Sequence, residues 1–248
     1  WHELLTTDPE AAKKFYQTAT GWTTQLFADA GMPYTMWLAG ETPVGGLMDL
    51  PKNLRDMHVP PHWLTYIGTP NVDDTLAKAV KLGAQQMVPA MDIPTVGRFA
   101  VLGDPQGAVF AIFTPAPNSR PMQDPPMGGF SWHELVTTDY EKGFDFYSTL
   151  FGWVKTTAMD MGEMGVYQMF GRSSNEPMGG IYNKPKDMPA PPNWLPYVLI
   201  ADINKGAESV KSKGGTIMHG PIEVPTGDWI VMAMDPQGAA FALHQRKK

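Results

Sequence analysis

The chain of 248 residues has a formal net charge of -6, no cysteine, and no apolar run approaching the roughly 18 residues needed to cross a bilayer. These features argue against nucleic acid and membrane partners, and they exclude disulfides, thiolate nucleophiles and sulfur-ligated zinc. A hydrophobic fraction of 43%, with 25 Gly and 24 Pro, describes a globular protein of many short elements punctuated by turns, and a cytoplasmic location is expected.

In chain order, residues 1–7 read as a strand. Asp8-Pro9-Glu10 then supplies a helix N-cap, a proline at the first helical position and an acidic first turn; Phe15 and Tyr16 fall on the buried side, and Gly21 ends the helix. Three strands follow at 22–27, 34–38 and 44–50, separated by Gly31, Pro33, Gly40 and Pro43. The order then restarts: a strand over 63–68, a helix over 71–83, and strands near 85–91, 98–102 and 108–114. Asp104-Pro105-Gln106-Gly107 joins the last two as a tight turn.

All of this recurs at an offset of 131 residues. Trp1-His2-Glu3-Leu4 returns as Trp132-His133-Glu134-Leu135 (132 − 1 = 131), Phe15-Tyr16 as Phe146-Tyr147, Gly21-Trp22 as Gly152-Trp153, and Asp104-Pro105-Gln106-Gly107 as Asp235-Pro236-Gln237-Gly238. Two copies of one domain are present, at 1–114 and 130–248, joined by a Pro-rich linker at 115–129. Shorter Pro-rich crossovers at 51–61 and 184–192 link the half-domains. The chain opens on Trp1, while Gly128-Gly129-Phe130 lead into the second copy, so a short piece ahead of Trp1 is expected and a leader peptide stays open.

Four β-α-β-β-β modules, the FY pair on each first helix and the DPxG turn near each domain's end resemble the vicinal oxygen chelate superfamily, which includes glyoxalase I, extradiol dioxygenases and bleomycin-resistance proteins. The resemblance implies an α+β fold of four tandem modules with curved mixed sheets and helices outside. In metal-binding members it also implies ligands on each module's first strand and on the last strand. Carried onto this chain, those positions are Trp1, Leu64, Trp132, Leu195, Ala111 and Ala242, none of which offers a lone pair to a metal. No metal and no cofactor is therefore expected.

Alternation along a strand places Glu3 beside Trp1, Glu134 beside Trp132, Tyr66 beside Leu64, Tyr197 beside Leu195, and His244 beside Ala242. The expected pocket is aromatic with one carboxylate per domain, lined by Trp1, Trp132, Tyr66, Tyr197, Ala111, Ala242 and His244, with Glu3 and Glu134 as candidate acid–base groups. It suits a small aromatic or cationic organic molecule bound without the family metal site. The alternative is a glyoxalase-like lyase or isomerase acting by proton transfer, through relocated ligands or acid–base residues alone. A structural role, hydrogen-bonded to a neighbouring strand, competes for both carboxylates. His2 and His133 alternate to the opposite face, and Trp22, Trp63, Trp153 and Trp194 read as core; His58, His62 and His219 read as surface. HExxH fails at Thr6 and Thr137, and no dinucleotide, phosphate-loop or hydrolase motif occurs. A monomer or a homodimer fits equally well.

Overall fold

The protein is described from a computed structural model over residues 1–27, 34–117 and 124–247. The loop breakers Gly31 and Pro33 and the central part of the linker, 118–123, lie outside those residues.

The first module runs β1 (His2–Thr6), α1 (Pro9–Thr20), β2 (Thr23–Phe27), β3 (Tyr34–Ala39) and β4 (Thr42–Asp49). A short helix, α2 (Lys52–Asp56), lies within the Pro-rich crossover at 51–61. The second module is β5 (His62–Gly68), α3 (Val72–Lys81), β6 (Gln85–Ile93), β7 (Gly97–Gly103) and β8 (Val109–Pro115). The third is β9 (Phe130–Thr137), α4 (Tyr140–Phe151), β10 (Val154–Asp160), β11 (Val166–Gly171) and β12 (Pro177–Asn183). The fourth is β13 (Asn193–Leu199), α5 (Ile203–Ser212), β14 (Thr216–Glu223), β15 (Trp229–Met234) and β16 (Ala240–Gln245). The fold is α+β, with two mixed eight-stranded sheets ordered β2-β3-β4-β1-β5-β8-β7-β6 and β10-β11-β12-β9-β13-β16-β15-β14.

Local chemistry sets the helix ends. Asp8 accepts from the Ala11 amide at 2.9 Å and Asp139 from the Lys142 amide at 3.1 Å. Gly21 and Gly152 close the two helices with φ of 78° and 74°, a left-handed backbone that glycine adopts without steric cost.

Backbone contacts divide the chain into two compact units, Trp1–Leu64 with Pro121–Trp132 and Pro196–Lys248, and Thr65–Arg120 with His133–Leu195. Each unit thus draws on both sequence copies. In the first, the Tyr16 ring packs within 5.8 Å of Trp22, 5.6 Å of Trp37, 5.4 Å of Trp63 and 5.2 Å of Phe241. Its hydroxyl donates to Asp235 Oδ2 at 3.0 Å and accepts from Trp63 Nε1 at 2.9 Å. Asp235 Oδ1 accepts the Gln237 and Ala239 amides, both at 2.9 Å.

The second unit repeats the device. Tyr147 donates to Asp104 Oδ2 at 3.0 Å and accepts from Trp194 Nε1 at 3.1 Å, while Asp104 Oδ1 takes the Gln106 and Ala108 amides at 2.8 and 2.9 Å. Burial pushes both carboxyls up, and the amide and phenol donors pull against it. The Tyr of each FY pair, the Trp near the start of β5 or β13 and the Asp of each turn are therefore one structural relay. Trp22, Trp63 and Trp194 are core residues as expected. Trp153 is only half-buried.

Replacing Tyr16 or Tyr147 with Phe strands Oδ2 of a buried carboxylate and an indole N–H together. Each substitution should lower stability by about 1–3 kcal/mol, read from urea unfolding midpoints. Trp63→Phe added to Tyr16→Phe should cost less than the sum of the two alone, because the pair shares one hydrogen bond.

Candidate functional site

In the first unit β1 turns His2 and Glu3 to opposite faces. His2 is buried with its ring 4.0 Å from Phe130. Glu3 is also buried, at 7% exposure, so its charge needs a partner. Tyr34, on β3, supplies it. Burial and then the Glu3 carboxylate, to which it hydrogen-bonds, push the Tyr34 phenol well above its ordinary value. Trp1, half-buried, donates from Nε1 to the same phenol oxygen at 3.0 Å.

The approach is possible because of one glycine. Gly46 on β4 pairs with Glu3 on β1 and with Met36 on β3, so Tyr34 must reach across β4 to meet the carboxylate. A Cβ at Gly46 would overlap the Tyr34 phenol.

The second unit rebuilds the arrangement with different spacing. Gly180 on β12 pairs with Glu134 on β9, and Tyr167 on β11 crosses it to donate to Glu134 Oε1 at 2.8 Å; a Cβ at Gly180 would overlap that phenol too. Tyr182 stacks on Tyr167 at 5.7 Å, and burial followed by the Glu134 charge raises its own phenol. Glu134 is 5% exposed.

Sequence reasoning found both carboxylates and missed both tyrosines. The carboxylates recur at 134 − 3 = 131, but the tyrosines recur at 167 − 34 = 133 and the glycines at 180 − 46 = 134. Comparison at a fixed offset slides past them. The Gly45-Gly46 and Gly179-Gly180 pairs were the available signal.

The other expected residues distribute as follows. Tyr197, buried, pairs with the fully buried Ala242 between β13 and β16. Tyr66, half-buried, pairs with the fully buried Ala111 and lies 6.2 Å from Phe99. Trp132 is half-buried. Trp1, Glu3, Trp132, Tyr197, Ala242 and His244 fall in the first unit, and Tyr66, Ala111 and Glu134 in the second.

His244 is buried between two partners that the sequence did not announce. Its Nδ1 lies 2.8 Å from Ser131 Oγ and its Nε2 3.3 Å from Asp228 Oδ2; burial lowers its pKa while Asp228 raises it. The first copy has Gly97 and Phe113 at those places (228 − 131 = 97, 244 − 131 = 113), so this polar cluster belongs to one copy.

His133 points its Nδ1 at the Met178 carbonyl, 3.1 Å away, in keeping with its expected structural role. His58 and His219 are exposed. His62 is a correction: it is half-buried, held 2.8 Å from the Pro60 carbonyl, and burial lowers its pKa, because the proline-bracketed turn folds its ring back onto the chain.

The described residues line grooves in both units. One of about 650 Å³, in the second unit, is lined by Thr69, Asn71, Lys78, Phe151, Trp153 and Arg172; one of about 280 Å³, in the first, includes Thr18, Gly21, Met127, Asp202 and Ser209. Neither is lined by the residues expected to bind ligand.

The model of the Glyoxalase/Bleomycin resistance protein/Dioxygenase superfamily matches residues 1–112 and 129–243. The chain belongs to that superfamily. It is 44% identical over 118 residues to CFP32 of Mycobacterium tuberculosis, provisionally named a glyoxylase; the match takes in 47% of this chain and only 44% of that protein. It is 26% identical over 254 residues to the anthracycline biosynthesis protein DauV of Streptomyces sp. strain C5, covering 98% of this chain and 91% of the relative.

Among solved structures the fold is shared by the 2,3-dioxygenase LapB of Pseudomonas sp. KL28, with TM-score 0.67, 12% identity, and 100% of this chain against 91% of that one. A Mn(II)-bound glyoxalase of Novosphingobium aromaticivorans has TM-score 0.66 and 16% identity over 100% of this chain and 81% of its own.

Membership of the superfamily raises the question of a metal, and the donors do not fit one. The places the resemblance gives to ligands hold indole, isobutyl and methyl groups. Each sheet keeps one carboxylate there, Glu3 or Glu134, hydrogen-bonded to a phenol, and no cluster of three His, Asp or Glu occurs among the described residues.

Gly46→Ala should displace Tyr34 and cost about 1–3 kcal/mol of stability, with a matching loss for Gly180→Ala, both read from chemical unfolding. Burial lowers the His133 pKa from 6.5 to about 4. Its neutral ring therefore contributes stability in full above about pH 6.5, and that contribution is lost as pH falls towards 4. His133→Gln should flatten the pH dependence of the unfolding midpoint across that window; an unchanged slope would count against a neutral, half-buried ring.

Proposed function

We propose that this superfamily member binds a small aromatic or cationic organic molecule at its carboxylate–phenol pairs, without the metal on which chelating relatives rely. The observation that carries the reading is the Glu–Tyr pair itself, built twice from three strands and a glycine, with Tyr167 donating to Glu134 at 2.8 Å and Tyr34 engaging Glu3. Such a pair holds a negative charge in an aromatic setting beside Trp1 in one unit and Tyr182 in the other. A cationic group gains from the carboxylate, and a flat ring gains from the aromatic faces. The relative that matches over 98% of the chain is named for anthracycline biosynthesis.

One feature favours a second reading. A carboxylate hydrogen-bonded to a phenol can pass a proton, so a glyoxalase-like lyase or isomerase could run on Glu3 or Glu134 with acid–base chemistry alone.

Both readings meet in one experiment. Titration of the protein with planar aromatic amines, followed by tryptophan fluorescence, should give saturable binding that Glu3→Gln and Glu134→Gln together weaken by about tenfold or more, the worth of a charge-assisted contact. Unchanged affinity in the double variant would remove the proposal. Retained affinity with abolished turnover, in a screen of carbonyl substrates, would replace binding with catalysis.

A further inference from the structure

Apart from the carboxylate–phenol pairs, one group of side chains in the first unit has the order of a nucleophilic relay. Ser131 Oγ lies 2.8 Å from His244 Nδ1, and His244 Nε2 lies 3.3 Å from Asp228 Oδ2. A hydroxyl, an imidazole and a carboxylate so arranged are the parts that make a serine nucleophilic in acyl transfer, and they are recognised by geometry rather than by a surrounding motif. Here they come from β9, from β16 and from the turn ahead of β15.

Their spacing is held by backbone and core contacts. The Leu199 amide donates to the Gly129 carbonyl and the Ile200 amide to the His244 carbonyl, both at 2.8 Å, so the end of β13 ties the segment before Ser131 to the backbone of His244. Phe130 is buried, its ring 5.6 Å from those of Trp22 and Trp63. Asp228 is fixed as well: its Oδ1 accepts the Lys247 amide at 2.8 Å and its Oδ2 accepts the Thr226 hydroxyl at 3.3 Å.

This arrangement decides where the imidazole keeps its proton. A carboxylate can only accept, so Asp228 holds the proton on Nε2 and leaves the Nδ1 lone pair for the Ser131 hydroxyl, which donates to it; either ring nitrogen can serve as a base. Burial lowers the His244 pKa against the pull of Asp228, so the ring is neutral at neutral pH. Burial works against the Asp228 charge too, but the Lys247 amide and His244 hold that carboxyl below its ordinary value. Ser131 is half-buried and keeps some surface in solvent. The residues paired with His244 on either side, Leu199 on β13 and Ile230 on β15, are apolar.

We propose that Ser131 and His244 are a catalytic pair for the hydrolysis of small apolar carboxylic esters, with Asp228 as the residue that positions the imidazole. Ser131 Oγ forms a bond to the acyl carbon while its proton passes to His244 Nδ1. The ester C–O bond then breaks and the departing alcohol takes that proton, leaving the acyl group on Ser131. Water, deprotonated by the same nitrogen, releases the acid and restores the serine. The first copy has Gly97 and Phe113 at the places of Asp228 and His244, so the activity belongs to one copy. It is independent of the carboxylate–phenol pairs.

The probes are diisopropyl fluorophosphate, from which a serine nucleophile displaces fluoride, and p-nitrophenyl butyrate. Peptide mapping of the unaltered chain should find one label, on Ser131, and Ser131→Ala should remove it while lowering kcat/KM for the ester by about 100-fold or more. Asp228→Asn should lower kcat by about tenfold or more and leave KM within a factor of about two, the mark of a group that acts on the transition state through His244. Three results would overturn the proposal: no label on Ser131 with the reagent in excess, label spread over other serines and tyrosines, or ester hydrolysis undiminished by Ser131→Ala.

Discussion

A buried carboxylate cannot be left alone in a protein interior, and the way this chain satisfies two of them organises everything else. Asp235 and Asp104 each take two backbone amides of their own turn and one phenol from a helix far away in sequence. Tyr16 is 219 residues from Asp235, and Tyr147 is 43 from Asp104. The same two phenols accept an indole N–H from Trp63 and Trp194. Each relay draws module one to module four, or module two to module three, so each compact unit takes part of its core from both copies. Local strands and caps could form without these contacts. The pairing of modules within each unit could not be the same.

This changes the meaning of the repeated motifs. The FY pair, the tryptophans of β5 and β13 and the DPQG turn are the most visible identities between the copies, and they are spent on architecture. What the copies share beyond that is less visible: a glutamate, a tyrosine and a glycine on three neighbouring strands. The glycine has no side chain because a phenol must pass over it, and the phenol passes because a buried carboxylate lies beyond. Similarity across the superfamily carries the fold. The donors at these sheets are this chain's own.

Strands, helices and turns were legible from the sequence because each is dictated locally, by Asp at the caps, Gly at the helix ends and Pro-Gln-Gly at the turns. The carboxylates Glu3 and Glu134 were legible too, from alternation along one strand. Tyr34 and Tyr167 were not, because their role is a relation among three strands whose spacing differs between the copies, by two residues from Glu to Tyr and by one more from Tyr to Gly. The helix α2 was hidden by flanking prolines, although Pro51 stands at its N-cap. The polar partners of His244 were hidden because the other copy places Gly97 and Phe113 there, and comparison of copies finds what is shared and passes over what only one has. Gly128 lies in the Pro-rich linker that the sequence gives as a tether. Its hydrogen bonds to Trp22 and Leu199 make part of that tether core.

The central claim is that these sheets hold carboxylates braced by phenols in place of a chelated metal. The most direct measurement is elemental analysis of the purified chain after equilibration with zinc, manganese, nickel and ferrous iron and removal of unbound metal, read together with a crystal structure of the same sample. The account predicts no stoichiometric metal and intact hydrogen bonds from Tyr34 to Glu3 and from Tyr167 to Glu134. A retained ion coordinated by Glu3 or Glu134, with the tyrosines turned away, would contradict it.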